Sequence, residues 1–282
     1  MEAMELYDQL ERDFILPGLR DNWADDMAGI KDHVSANFME RSMGLTCDFT
    51  KKIGSVYSAV FPSGKVMNQI LDDGVTDAML FVHHPMIWDI RRKSVFSLMD
   101  TVLLKEFRDR RISIYNLHVP LDNFSEYGTS KTLADALAID IEKPFALYYG
   151  GLCGVIGRTG CKTIGELSDV FSQAVGHRTA LYQYGDQAIR GGRVAVAAGG
   201  GNDPDVVNEM IENEISVLVT GISAKTEWSA KVHDLEKKNR INVLGGTHYS
   251  TEKFACIRMC DYFRNLGLPS VFIEDEPVYE DM

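Results

Sequence analysis

Three short segments of the sequence combine histidines with acids or a proline in patterns that suit metal binding. They contain four of the seven histidines of the chain. Imidazoles and carboxylates without thiolates favour Zn²⁺, Mn²⁺ or Fe²⁺ over Ca²⁺ or Mg²⁺. Six candidate ligands exceed what one open catalytic zinc ion needs, so the sequence predicts two divalent metal ions. The candidates are His83, His84, His118, Asp122, His248 and Glu252.

A pair of divalent ions would direct the chemistry towards hydrolysis. Two ions about 3.5–4 Å apart, bridged by a carboxylate such as Glu252, leave coordination positions for water and lower its pKa. The first hypothesis is therefore a metal-dependent hydrolase of the cyclic amide or phosphoester class, acting on a small molecule, with nucleotides among the candidates. A metal-activated hydroxide would be the nucleophile, and His118 would carry the proton. The second hypothesis is a regulatory or scaffold protein whose metal site is occupied but catalytically idle.

Each segment also has an ordinary structural interpretation. Adjacent strand residues point to opposite faces, so one of His83 and His84 could be a core residue and the other exposed. Asp122 after a strand is typical of a cap or turn, and Glu252 in a first helical turn is typical of a favourable dipole partner. Pro85 disfavours continuation of the strand and lets both imidazoles turn to the same side. The convergence of three such segments favours the metal site.

Each segment follows directly on a predicted strand. In open α/β sheets, ligands bind at the carboxyl ends of the strands. We therefore expect the segments to surround one crevice, although they are far apart in the chain. Pro120 is expected to make the stretch between His118 and Asp122 a turn instead of a helix. The three predicted strands span 78–82, 112–117 and 241–244.

From about Ile53 the chain alternates β-rich runs with amphipathic stretches, which predicts βαβ units, an α/β fold and a largely parallel sheet. The length favours two domains. Gly150 and Gly151 indicate a bend or hairpin within the β-rich stretch 144–157. Helices are predicted near 95–110, 130–137, 164–174, 204–213 and 224–238, and further strands near 179–184, 193–198, 216–220 and 270–273.

A glycine run and a final helix complete the pattern. Gly199 to Gly201 follow a predicted strand and could present backbone N–H groups to an anion. The run lacks the Lys-Ser/Thr of a P-loop and the spacing of a dinucleotide fingerprint, so a tight turn is favoured. Ser250 or Thr251 is expected to open the last helix, and Gly267 to close it.

Composition excludes several classes of protein. A net charge of -12 without a basic cluster argues against nucleic acid as a partner. Five cysteines without close CxxC pairs indicate free thiols rather than a disulfide framework or a zinc ribbon. The N-terminus does not resemble a signal peptide, and no segment has the apolar length of a membrane span, so a cytoplasmic protein is expected.

The three segments, in this order, resemble the metal motifs of the Ngg-interacting-factor-three-like family, often labelled GTP cyclohydrolase I type 2. Met43-Gly44-Leu45 and the Gly199 to Gly201 run resemble lesser landmarks, so the similarity spans nearly the whole chain. The resemblance implies a dinuclear centre with His118 lining its pocket. The ligands that it implies are His83, His84, Asp122, His248 and Glu252.

The resemblance also implies an organisation of domains and subunits. It implies two interlinked α/β domains with mixed, mostly parallel sheets flanked by helices. Residues 1–125 and 241–282 would form a discontinuous metal-binding domain, and residues 126–240 the second domain. The assembly would be a ring-shaped homohexamer.

Overall fold

The computed structural model describes all 282 residues and alternates strands with helices along the chain. The strands are β1 (Gly44–Cys47), β2 (Ser55–Ala59), β3 (Ala78–Val82), β4 (Ile87–Trp88), β5 (Phe96–Ser97), β6 (Ile112–Asn116), β7 (Asp140–Tyr148), β8 (Gly151–Arg158), β9 (Ala180–Tyr182), β10 (Arg193–Ala197), β11 (Val217–Thr220), β12 (Asn242–Gly245) and β13 (Ser270–Phe272). The helices are α1 (Ala3–Phe14), α2 (Ala36–Arg41), α3 (Gly64–Asp72), α4 (Thr101–Asp109), α5 (Val119–Asp122), α6 (Thr129–Ala136), α7 (Ile164–Val175), α8 (Pro204–Glu212), α9 (Ala230–Lys238) and α10 (His248–Asn265). The predicted α/β class is confirmed.

The chain divides into two compact units. The first unit comprises Met1–Leu121 and Cys256–Glu276, and the second comprises Asp122–Ala255 and Pro277–Met282. One boundary falls within α5 and the other within α10, so each of these helices contributes residues to both units. None of the ten helices combines the length and the hydrophobicity that a bilayer span requires.

The first unit is built on a five-stranded sheet in the order β1-β6-β3-β2-β13. The strand pairs β6·β3, β3·β2 and β2·β13 are parallel, and only β1 runs antiparallel to its neighbour. All five residues of β3 are buried, as expected for a central strand of a parallel sheet. Phe38, Met67, Leu80 and Phe107 belong to its core, so helices α2, α3 and α4 pack against the sheet.

The second unit is built on a six-stranded sheet in the order β7-β8-β10-β11-β12-β9. Its central pairs, β10·β11 and β11·β12, are parallel, and its three outer pairs are antiparallel. Strands β7 and β8 form the predicted hairpin, and Gly150 turns it with φ +90°. Separate apolar clusters cover the two faces, with Phe171 in one and Met210 in the other.

Strand β12 differs from the expected domain assignment. We expected residues 241–282 to fold with the N-terminal part of the chain, but β12 pairs with β11 and β9 in the second unit. The reason is local, because α9 is a short crossover that returns the chain beside β11 in parallel. The three histidine segments therefore follow strands of two sheets, instead of one.

Three local predictions also differ from the structure. The stretch with Pro120 forms one helical turn, α5, because proline is tolerated in the first turn of a helix. Helix α9 begins at Ala230 and not near 224, since the Ser229 hydroxyl donates to the Ala224 carbonyl and holds the preceding loop. Helix α10 begins at His248, whose N–H donates to the carboxylate of Asp281.

Candidate metal centre

His83 and His84 directly follow the buried strand β3. Their backbone N–H groups donate to the carbonyls of Ala59 and Val60, so both residues leave the strand in a defined backbone position. The Nδ1 atom of His83 lies 2.9 Å from the carbonyl oxygen of Leu117, which can only accept a hydrogen bond. Nδ1 therefore carries the proton, and Nε2 is the ring nitrogen with a lone pair for a metal.

His118 follows β6 and lies in a buried polar setting. Its Nδ1 is 3.0 Å from Oδ2 of Asp21 and 3.2 Å from the indole Nε1 of Trp23. The Asp21 side chain is only 1% exposed. An indole N–H only donates, and a carboxylate only accepts. Nδ1 can therefore donate to Asp21 when it carries a proton, and it can accept from Trp23 when it does not.

His83, His84 and His118 form a buried group that we call the histidine triad. Each residue offers a ring nitrogen within 4.8 Å of those of the other two. The ring centroids are 4.4 to 5.3 Å apart. Phe61 stacks on His84 at 5.0 Å, and Trp23 meets it edge-on at 5.8 Å. The aromatic wall keeps water from most of the site and holds the rings in place.

In the second unit, His248 and Glu252 form a pair on the first turn of α10. Nε2 of His248 lies 3.1 Å from Oε1 of Glu252, and the two side chains are 5% and 4% exposed. The spacing of four residues puts both on one helical face, as the sequence predicted. We call these residues the α10 pair.

The glycine run packs against the α10 pair. Gly199 has a φ of +63°, and a Cβ atom there would overlap Oε1 of Glu252. The Gly199 N–H donates to the hydroxyl of Thr251, and its carbonyl accepts from the N–H groups of Gly221 and Ile222. The loop is thus a tight turn, the favoured interpretation, and glycine is required there so that the backbone can approach Glu252.

Asp122, the remaining candidate ligand, ends α5 in the second unit. Its Oδ1 accepts a hydrogen bond of 2.6 Å from the hydroxyl of Thr129. This contact orients the carboxylate. An ionised carboxylate has further lone pairs, so it can also bind a second partner. The candidate set thus falls into three parts: the histidine triad, the α10 pair, and Asp122.

The donors present fit a divalent transition metal. Buried clusters of histidine with glutamate could hold metal ions, and imidazole and carboxylate suit Zn²⁺, Mn²⁺ or Fe²⁺. None of the five cysteines forms a disulfide. Burial raises the pKa of Cys47 above its ordinary value and that of Cys260 to about 11. Both remain protonated at neutral pH and are poor metal ligands there.

Sequence inspection missed four residues that shape these sites. Asp21 and Trp23 lie more than ninety positions before His118 and carry no local motif. Asp281 caps α10 from 33 positions away, and Thr129 orients Asp122. Only for Thr129 was there a local signal, because a hydroxyl seven residues after an acid can return to it around a turn.

Comparisons with known proteins agree with the predicted resemblance. A Pyrococcus horikoshii protein named "GTP cyclohydrolase 1 type 2 homolog" is 26% identical over 247 residues, which cover 86% of this chain and 93% of that protein. A protein of the same name from Archaeoglobus fulgidus is 26% identical over 206 residues, with 70% of this chain and 74% of that protein covered.

Solved structures share the fold. The protein TTHA1606 from Thermus thermophilus has a TM-score of 0.71 at 21% identity, with 98% of this chain and 99% of that chain covered. A Bacillus cereus protein described as related to NIF3 has a TM-score of 0.68 at 14% identity, with 98% and 97% covered. The model of the family described as Duf34/NIF3 (NGG1p interacting factor 3) matches residues 35–277. Because this match extends over most of the sequence, the chain belongs to the Duf34/NIF3 family.

Proposed function

We propose that this protein is a hydrolase that uses two divalent metal ions on a small-molecule substrate. The histidine triad is the observation that carries the proposal, because three buried imidazoles offer ring nitrogens within 4.8 Å of one another. Imidazole nitrogens are common ligands of Zn²⁺, Mn²⁺ and Fe²⁺, so their convergence in one buried group favours metal binding. The proposed ligands are His83, His84, Asp122, His248 and Glu252.

The proposal takes the histidine triad, the α10 pair and Asp122 as one ligand set, the set that the family resemblance implies. Asp122 lies four residues after His118 in the sequence, at the end of the single turn α5.

The side chains would divide the work between binding and proton transfer. Two divalent ions would lower the pKa of a bound water and stabilise negative charge that develops on the substrate. His83 would present Nε2, because its Nδ1 is held by Leu117. His118 would hold or release a proton at Nδ1, where Asp21 accepts a hydrogen bond and Trp23 donates one.

The names of the relatives suggest the first substrates to test. Proteins of this family are named GTP cyclohydrolase 1 type 2 homologs, so GTP and other nucleotides lead the panel. Phosphoesters and cyclic amides follow, because the same metal chemistry serves both classes. We further propose a homo-oligomer, a hexamer by family resemblance. Leu147 and Tyr148 at the end of the β7–β8 hairpin support it, since they are 71% and 46% exposed.

The test combines metal analysis with turnover on the full-length chain. Elemental analysis of the purified protein should find about two transition-metal ions per chain. Turnover on the panel should depend on that metal. The variants His83→Ala and Glu252→Gln should lose both metal and turnover while their circular dichroism spectra stay unchanged. Glu5→Gln, an exposed glutamate on α1, is the control and should retain both.

Two outcomes would contradict the hydrolase. Native protein without a transition metal would exclude the centre itself. Bound metal with no turnover across nucleotides, phosphoesters and cyclic amides would favour the alternative, a regulatory or scaffold protein with an idle metal site. Light scattering of the same preparation measures the subunit number, and a monomer would exclude the proposed hexamer.

A further inference from the structure

The second unit contains a cavity of about 280 Å³ that shares no residue with the candidate metal centre. We call it the lysine cavity. Its volume is close to the lower end of the range for small-molecule sites, which suits a compact metabolite instead of a nucleotide. It lies along α9, from Ala230 to Lys237, and beside the chain that follows β9. Its walls are formed by Tyr184, Lys225, Thr226, Ala230, His233, Asp234 and Lys237.

Lys225 is held at the wall by two aromatic rings. Its ammonium nitrogen lies 5.1 Å from the ring centroid of Tyr182 and 5.2 Å from that of Tyr184. A hydrogen bond with Tyr184 raises the pKa of Lys225 above its ordinary value. The lysine therefore carries a positive charge at neutral pH, and the rings reduce the freedom of its side chain.

A buried chain of polar groups fixes the Tyr184 hydroxyl. Nε2 of His233 lies 3.1 Å from the Ser223 carbonyl, so Nε2 must carry a proton. Its Nδ1 lies 3.2 Å from the Tyr184 hydroxyl and 3.0 Å from Oε2 of Glu236. The side chains of His233 and Glu236 are 5% and 0% exposed. The part of the wall that Tyr184 and His233 form is therefore preorganised.

The start of α9 forms one end of the wall. Ala230, its first residue, lines the cavity. The preceding Ser229 donates its hydroxyl to the Ala224 carbonyl and its N–H to the Thr226 hydroxyl. These contacts fix the turn that carries Lys225 and Thr226.

From this arrangement we infer that the lysine cavity is a binding site for a small anion of the phosphate or carboxylate class. Lys225 and Lys237 supply two positive charges, and the Thr226 hydroxyl supplies a donor. The wall is thus cationic in a chain whose net charge is -12. Asp234 is the one acidic lining residue, and it would accept from a hydroxyl or amine on the same ligand.

The test uses inorganic phosphate and succinate as probes, with binding to the full-length protein measured by calorimetry. Saturable binding in about the millimolar range or tighter is expected for at least one probe. Lys225→Met should weaken it about tenfold, because a hydrogen bond to a charged group is lost. Tyr184→Phe should weaken it less. Lys238→Met, a neighbouring exposed lysine that does not line the cavity, should change it less than twofold.

The variant His84→Ala separates this site from the metal centre. Binding that persists in His84→Ala and is weakened by Lys225→Met supports the lysine cavity, whether or not the protein proves to be a hydrolase. Binding lost in His84→Ala and unaffected by Lys225→Met would place the anion at the metal centre and overturn the inference. An absence of saturable binding, or equal effects of Lys225→Met and Lys238→Met, would also overturn it.

Discussion

Two sites with buried histidines, the histidine triad and the lysine cavity, differ in what the ring nitrogens face. In the histidine triad, the nitrogens of three rings lie within 4.8 Å of one another. In the lysine cavity, a single imidazole, His233, lies among a carbonyl, a phenol and a carboxylate. The second arrangement surrounds one imidazole with other polar groups, whereas the first brings the nitrogens of three imidazoles together. Convergence of imidazoles, and not burial of a histidine, therefore distinguishes a candidate metal site.

The largest expected effect is the loss of bound metal from the histidine triad. His84→Ala should abolish metal binding because it removes a proposed ligand, whereas His233→Ala should leave the metal content unchanged. Elemental analysis of both purified variants checks this. His233→Ala should instead lower the free energy of unfolding by about 1–3 kcal/mol, since it leaves Glu236 buried without its partner. Equal metal contents in the two variants would contradict the distinction between the histidine triad and the lysine cavity.

A second variant tests whether His118 of the histidine triad transfers a proton or binds metal. If His118 carries a proton instead of binding metal, His118→Ala should retain the metal and lower turnover by about 10²–10⁴-fold. Metal analysis and turnover on the best substrate of the panel provide the measurements. A metal content as low as that of His84→Ala would make His118 a ligand instead, and the role assigned to Asp21 would then be to orient it.

The glycine run offers a smaller test in the second unit. Gly199→Ala should lower the free energy of unfolding by about 1–3 kcal/mol, because φ is positive and the new methyl group would displace Glu252. It should also weaken metal binding. Gly200→Ala is the matched control, since the nearest atom to its added Cβ is 3.9 Å away. Denaturant unfolding compares them, and equal stabilities would show that Gly199 is not needed for the approach to Glu252.

The smallest effect is a pH dependence that arises from the lysine cavity. Burial raises the pKa of Glu236, although His233 and Lys225 oppose the shift. The folded state thus binds this proton more tightly than the unfolded chain. The resulting stability is fully present below the unfolded pKa near 4.5 and is lost as pH rises through the folded pKa.

Glu236→Gln should remove this dependence because an amide does not ionise. The stability of the variant relative to the natural protein should therefore increase between about pH 5 and about pH 8. Denaturant unfolding at both pH values measures the difference, with the exposed Glu212→Gln as control. A difference that falls or stays constant with pH would show that Glu236 is ionised in the folded protein.

Local sequence signals were reliable where neighbouring residues decide the structure. Strands β3, β6 and β12 lie where alternation and apolar runs predicted them, and a histidine follows each one. Gly150 turns the expected hairpin. Helix starts were less predictable. The N–H of His248 is capped by Asp281, and the start of α9 depends on a hydrogen bond between Ser229 and Ala224. Asp281 lies 33 positions after His248, so no local pattern identifies it as the cap.

By itself, the sequence determined the candidate site residues and their positions after strands, because apolar periodicity, proline and glycine act within a few residues. Only the tertiary structure decided which strands share a sheet, that β12 joins β11 and β9, and that Asp21 and Trp23 reach His118. It also assembled the lysine cavity, whose residues belong to no motif. These contacts join distant residues, and their selection depends on packing and hydrogen bonding across the whole unit.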